Sequence, residues 1–242
     1  MKLRSILLYG SLIAIFAVSS FVVFTHFWGS ARALASSYEV REIFHEIISV
    51  QEEETYLMDF DALRAYFGNN DITAHLYIPG TNIDYLVVQG RDNNFYLYHD
   101  IWRERSSAGW IFLDYEVDLS GRDQNMVIYG HNMNQDHMFH SLRRFRERDF
   151  FEQHREIILN TPYAVYRFET FSFFVTRVDF EYTLPNFPQA VWRENLNRFK
   201  SLSIHPADIE LSVNDRVISL STCTNVAADE RFVLQGRLMS DN

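Results

Sequence analysis

From Thr73 onward the chain is a succession of short apolar segments, each bounded by turn-forming residues and none long enough to bury itself alone. The segments are residues 75–78, 85–88, 109–113, 126–129, 164–174, 217–220 and 232–238, rich in Val, Ile, Phe and Tyr. β-Branched and aromatic side chains suit a pleated, half-buried surface. Clusters such as Pro79-Gly80-Thr81-Asn82 supply the reversals between them. Short strands at this spacing form a closed β-barrel or a sandwich. A length of 242 residues allows one domain with a sizeable core, and no internal repeat or low-complexity tract interrupts it.

Helical patterns break the β texture in two places. One is 137–145, with Phe139, Leu142 and Phe145 apolar. The other is 189–202, with Val191, Leu196, Phe199 and Leu202 apolar, reached through Pro185 and Pro188. It lies between two strands just upstream of Cys223 and reads as a helix packed over a barrel end. Ahead of the strands, Val40, Ile43, Phe44, Ile47 and Ile48 fall at helical spacing and predict an amphipathic helix. A shorter helix follows over 61–67, with Asp59 or Asp61 as its cap.

The N-terminus has a different texture. Residues 6–28 are apolar apart from Gly10, a few serines, Thr25 and His26, and exceed the roughly 20 residues that span a bilayer as a helix. Lys2 and Arg4 precede this run and no acidic residue occurs before Glu39. That asymmetry predicts a cytoplasmic tail and an exported remainder. Ala33-Leu34-Ala35 offers a small-residue cleavage site, but cleaved signal peptides carry shorter apolar cores of roughly 7–15 residues. The expectation is a transmembrane helix retained as a single-pass anchor in the cell membrane, with everything after it extracellular.

Charge narrows the partners. The chain has 22 Lys and Arg against 32 Asp and Glu, a net −10, and its two earliest basic residues lie ahead of the apolar run. An acidic exported part argues against nucleic acid and against anionic membrane surfaces as partners.

Cys223 is the only cysteine, in the run Ile218-Ser219-Leu220-Ser221-Thr222-Cys223-Thr224-Asn225. Outside the cytoplasm cysteines usually pair, and a single one cannot pair within its chain. It is then a passive buried residue or a nucleophile. If the strands flanking it pair as an antiparallel hairpin, Cys223 and Arg231 meet side by side at one rim. A guanidinium beside a thiol favours the thiolate, although Asp229 and Glu230 leave a solvated surface arginine as the alternative. Among nine histidines, His131 stands out because it follows Met126-Val127-Ile128-Tyr129-Gly130 directly, on a glycine-enabled turn past a strand end. A hydrogen-bonded loop histidine fits the same position. The spacing of His131, His137 and His140 matches no established zinc signature, so no metal or other cofactor is expected.

Three ordered segments resemble the signatures of the sortases: Tyr129-Gly130-His131-Asn132-Met133, Ser219-Leu220-Ser221-Thr222-Cys223-Thr224, and Arg231-Phe232-Val233-Leu234-Gln235-Gly236-Arg237-Leu238. Asn94-Phe95-Tyr96-Leu97-Tyr98-His99-Asp100, then Ala108-Gly109-Trp110-Ile111-Phe112-Leu113-Asp114, are similar to the stretch before the histidine strand in class B. The resemblance implies a mainly β protein, a closed eight-stranded barrel with N-terminal helices and a helical insert before the cysteine strand. It implies a tail at 1–5, an anchor at 6–28, a helical segment at 29–70 and a catalytic barrel at 71–242. It also implies a cysteine transpeptidase with Cys223 as nucleophile, His131 as general acid/base and Arg231 as third catalytic residue. Ser221, Thr222 and Asn132 are expected to line the substrate pocket. An acidic partner for His131 is not expected at the second position after Cys223, which is Asn225. The implied partners are surface proteins bearing a sorting signal, and an amine of the peptidoglycan precursor, its cross-bridge or a pilin lysine. A tethered cysteine peptidase and an inert binding module remain as other readings, separable by amine-dependent ligation and by thiol labelling.

Overall fold

The computed structural model describes residues 2–51, 58–120, 122–133, 137–224 and 229–239, and within helix α1 the side chains of 9–25, 28, 31, 35 and 37–46. Two compact units result, Met1–Val40 and Arg41–Asn242. The first lies within α1, Lys2–Gln51. The expected membrane-spanning segment at 6–28 does not stand: among the described residues no helix is long and apolar enough to cross a membrane. Leu12, Ile13, Phe16 and Phe21 of α1 are exposed.

The second unit is a closed barrel. Its strands are β1 Ile72–Tyr77, β2 Asp84–Val88, β3 Phe112–Leu113, β4 Asn125–Tyr129, β5 Glu156–Asn160, β6 Val165–Arg177, β7 Val217–Cys223 and β8 Glu230–Leu238. Around the barrel they run β1-β2-β3-β4-β7-β8-β6-β5 and back to β1. Most neighbours are antiparallel, but β2 pairs β3 and β4 pairs β7 in parallel. Parallel neighbours need a long crossover, and that from β4 to β7 carries β5, β6 and the helices α3, Arg148–Gln153, and α4, Gln189–Leu202.

Helix α2, Phe60–Phe67, is capped as the sequence suggests: Asp59 Oδ1 accepts from the backbone N–H of Asp61 and Ala62. On α4 the buried stripe is Trp192, Leu196 and Phe199, whereas Val191 and Leu202 are 41% and 39% exposed. Trp192 replaces Val191 because its indole stacks on Phe187 at 5.6 Å and donates to the Asp215 carbonyl. Phe199 stacks on Phe174 of β6 at 6.1 Å. Strand β6 is therefore covered on both sides around 170–174, and Ser172 Oγ donates to the Phe199 carbonyl at 2.7 Å. The patterned stretch 137–145 forms a tight 3-10 turn, His140–Arg146, rather than an α-helix.

Before β1, Phe44 is buried with its ring 4.4 Å from His75, while Ile47 and Ile48 of the expected stripe lie outside the described side chains. His75 Nε2–H donates to Asp84 Oδ1 at 2.6 Å, and Asn160 Nδ2 donates to His75 Nδ1 at 3.0 Å. Both ring nitrogens are thus satisfied in the neutral form. His45 Nε2 meets the other Asp84 oxygen at 2.8 Å. Burial holds His75 below its ordinary 6.5 despite Asp84. It also pushes His137 down to about 4, with Arg41 adding to the effect.

In the unfolded chain both imidazoles titrate near 6.5, so below that pH protons bind the unfolded state first. For His137 a drop from 6.5 to about 4 corresponds to on the order of 3 kcal/mol, present above pH 6.5 and lost by pH 4. The melting temperature should therefore fall steeply between pH 6.5 and 4. Calorimetry across that range should show a flatter slope for His75→Gln and His137→Gln, even where the plateau is lower.

Candidate active site

Strand β7, Val-Ile-Ser-Leu-Ser-Thr-Cys, is buried until its last residue, where Cys223 emerges half-buried with a free thiol. Strand β8 runs antiparallel to it, pairing Ser221 with Val233, Thr222 with Phe232 and Cys223 with Arg231. Directly opposed residues in such a pair have Cβ atoms about 5 Å apart. The thiol and the guanidinium therefore share one barrel rim. Arg231 Nη1 donates to the Glu230 carbonyl at 2.9 Å. Of the acidic neighbours, Asp229 pairs with Arg177, and the Glu230 carboxylate accepts from Thr224 Oγ1 at 3.1 Å.

The other side of β7 is flanked by β4, in parallel. Tyr129 pairs with Ser221, and the Gly130 N–H donates to the Ser221 carbonyl at 3.2 Å. His131 lies two positions past Tyr129, as Cys223 lies two past Ser221. Gly130 is required for space: a Cβ there would sit 2.3 Å from Ile111 Cδ1 and 2.9 Å from the Phe139 ring. His131 Nε2 meets the Leu97 carbonyl oxygen at 2.8 Å. A carbonyl only accepts, so the proton is on Nε2 and Nδ1 is the nitrogen left for chemistry.

Asn132 bridges the two loops. Its Nδ2 donates to the Cys223 carbonyl at 2.8 Å, and its Oδ1 accepts from His140 Nδ1 at 2.8 Å. Ser221 is buried, its hydroxyl 2.7 Å from that of Tyr182. Thr222 is buried, and its Oγ1 has no hydrogen-bond partner among the described residues. Asn225 lies outside the described residues. Among the described residues no group of three His, Cys, Asp or Glu side chains is placed to hold a metal.

Two features have no counterpart in the sequence reading. Tyr182 lies in the irregular stretch before α4, where local pattern carries no signal. Burial raises its pKa, and its hydroxyl is within electrostatic reach of Arg231 and Cys223. A buried polar network fixes that stretch. Asn125 Nδ2 donates to the carbonyls of Tyr182 at 2.7 Å and Leu184 at 3.1 Å, and the Asn125 N–H donates to the Pro185 carbonyl at 3.0 Å. Ser219 Oγ donates to Asn125 Oδ1 at 2.8 Å, and Gln235 Nε2 donates to Ser219 Oγ at 3.0 Å. One network thus spans β4, β7, β8 and the approach to α4. Nearby, Tyr129 donates to Asp114 Oδ2 at 2.9 Å, which also accepts from Asn93. Burial, then Asp114, raises the Tyr129 pKa.

Chemically, the rim offers a thiol, an imidazole with one nitrogen fixed, and a forked cation. Such a set suits nucleophilic attack on a carbonyl.

Asn125→Ala would orphan two carbonyls and Ser219, and should cost about 3 kcal/mol. Tyr182→Phe removes one hydroxyl contact and should cost only about 1 kcal/mol. Denaturant unfolding distinguishes the two, and equal small losses would remove the network from the account of this rim.

A sortase-domain family model matches residues 76–239. Sortase B of Listeria monocytogenes is 35% identical over 175 residues, covering 71% of each chain. The Staphylococcus aureus sortase B–substrate complex superposes with a TM-score of 0.79 at 26% identity, over 88% of this chain and 98% of that one. Sortase B complexed with triglycine gives the same TM-score and identity over 88% and 99%.

Proposed function

The chain belongs to the sortase family, as a cysteine transpeptidase of the sortase B kind, and on that premise we propose how its rim residues divide the work. Cys223 passes its thiol proton to the bare Nδ1 of His131 and attacks a backbone carbonyl in a sorting signal, its sulfur lone pair forming the C–S bond while the carbonyl pair moves to oxygen. Arg231 donates hydrogen bonds to that oxyanion. On collapse the C–N bond breaks, and His131 delivers its Nδ1 proton to the departing amine. An incoming amine then attacks the thioester carbon and loses a proton to Nδ1, and the C–S bond breaks as Nδ1 hands that proton to the departing sulfur, restoring the thiol and the neutral ring.

The observation that carries this reading is the strand register. It puts Cys223 opposite Arg231, with His131 two residues past the β4 end that pairs with Ser221. Ser221, Thr222 and Asn132 act in it as the pocket's supporting groups. A substrate complex of S. aureus sortase B and a triglycine complex of sortase B support a peptide signal and a primary amine as the two partners. For this chain we take the amine to be one of the cell wall. The reading has the barrel work outside the cytoplasm, where the single cysteine of the chain has no sibling to pair with. A dry groove around the thioester would let the amine outcompete water. The stretch leading into α4, fixed by Asn125, is its wall.

The test is mass spectrometry of the protein incubated with a library of sorting-signal peptides, with and without triglycine. An acyl adduct on Cys223 that triglycine discharges to a ligated product is expected. An adduct discharged only to water would make the chain a peptidase, and a lysine-bearing pilin peptide as the sole acceptor would move it to pilin assembly. Cys223→Ala and His131→Ala should each abolish cleavage and ligation while the fold persists. Arg231→Lys keeps the charge but loses the planar fork, and should lower kcat/KM by roughly 100-fold. Near-normal turnover in the lysine variant would demote Arg231 to a bystander charge.

A further inference from the structure

The hydrogen bond from His131 Nε2 to the Leu97 carbonyl decides which ring nitrogen is left for proton transfer. Leu97 closes the 3-10 turn Phe95–Leu97, whose start is held by Asp92 Oδ1 accepting from the Asn94 and Phe95 N–H groups at 2.7 and 2.9 Å. Backbone pairing clamps its far side, with Trp110 N–H donating to the Tyr96 carbonyl at 2.9 Å and Ser106 N–H to the Tyr98 carbonyl at 2.8 Å. Between those two clamps sits Gly109, at φ +56.

Its bare Cα lies against the carbonyl face of the turn. A Cβ at this position would stand 2.4 Å from the Tyr96 oxygen, 2.8 Å from the Leu97 oxygen and 2.9 Å from the Leu97 carbonyl carbon. None of those atoms belongs to a flexible side chain that could swing away. Trp110, the next residue, is buried and its indole donates to the Leu86 carbonyl at 2.8 Å, which holds this segment in place.

We propose that Gly109 is a positioning residue for His131. By lying flat against the turn it lets the Leu97 carbonyl reach Nε2, and so keeps the proton there and assigns acid–base work to Nδ1. The inference rests on His131 being the proton-transfer group. Any side chain at 109 turns the Leu97 carbonyl aside and releases the ring.

The test combines kinetics with the imidazole signature of His131 in the whole protein. In the unmodified protein, long-range 15N–1H spectra should show a neutral His131 ring with a slowly exchanging Nε2–H and a bare Nδ1. Gly109→Ala should lower kcat by about 100-fold, in the range for misplacing a reacting group by ~1 Å. KM for the signal peptide should stay within about threefold, and the His131 signals should shift to mixed tautomers. A folded Gly109→Ala protein with unchanged kcat and tautomer overturns the proposal, provided His131→Ala is inactive. If His131→Ala is active, the role of the histidine itself fails. Should Gly109→Ala not reach a native melting transition, the unmodified protein decides: an Nδ1–H neutral ring, or a fast-exchanging Nε2–H, overturns the assignment.

Discussion

The parallel pairing of β4 with β7 is the constraint on which the rest depends. Parallel neighbours end at the same rim, so whatever follows β4 and whatever closes β7 are delivered side by side. Because β8 is antiparallel to β7, its first residues return to that same rim. Three sequence-distant positions are thereby gathered without any loop having to reach. Side chains alternate along a strand, so a slip of one residue would turn Cys223 to the opposite face. The Asn125–Ser219–Gln235 network guards against that slip, since its partners sit on all three strands and match only in one register. Burying such groups is costly unless each is satisfied.

Much of the barrel could be read from the chain because seven of its strands carry β-branched and aromatic runs between turn clusters. Strand β5 escaped because Glu152, His154, Arg155 and Glu156 mask its short apolar part. On α4 the reading chose Val191 over Trp192, since helical spacing tolerates either and only stacking on Phe187 decides. The 137–145 pattern was apolar at helical spacing, yet the bridge between Asn132 and Met138 fixes that stretch in a tighter turn. The apolar N-terminal run invited a membrane span that the described helix does not supply.

The site divided differently. Cys223, His131 and Arg231 are marked by isolation, by a strand end and by hairpin arithmetic, with the family likeness adding their roles. Tyr182 and Asn125 leave no local trace. Their place is set by contacts across 57 and 59 residues of sequence, which no window of periodicity can register. Gly109 was visible as a letter in a motif, but its reason lies in the 2.4 Å approach of a carbonyl.

The closure of β4 on β7 also sets a clock. Asn132 and the carbonyl it holds, that of Cys223, are separated by 91 residues, with β5, β6 and α4 lying between them. Pairings so distant in sequence form late, because the entropy of drawing the chain ends together comes before any contact rewards it. A nascent or partly folded chain thus carries its thiol on an unpaired strand end, without Arg231 opposite and without His131 two residues past the paired end of β4. On the proposed mechanism, transpeptidation therefore waits for β4 to close on β7, however early the thiol itself is exposed.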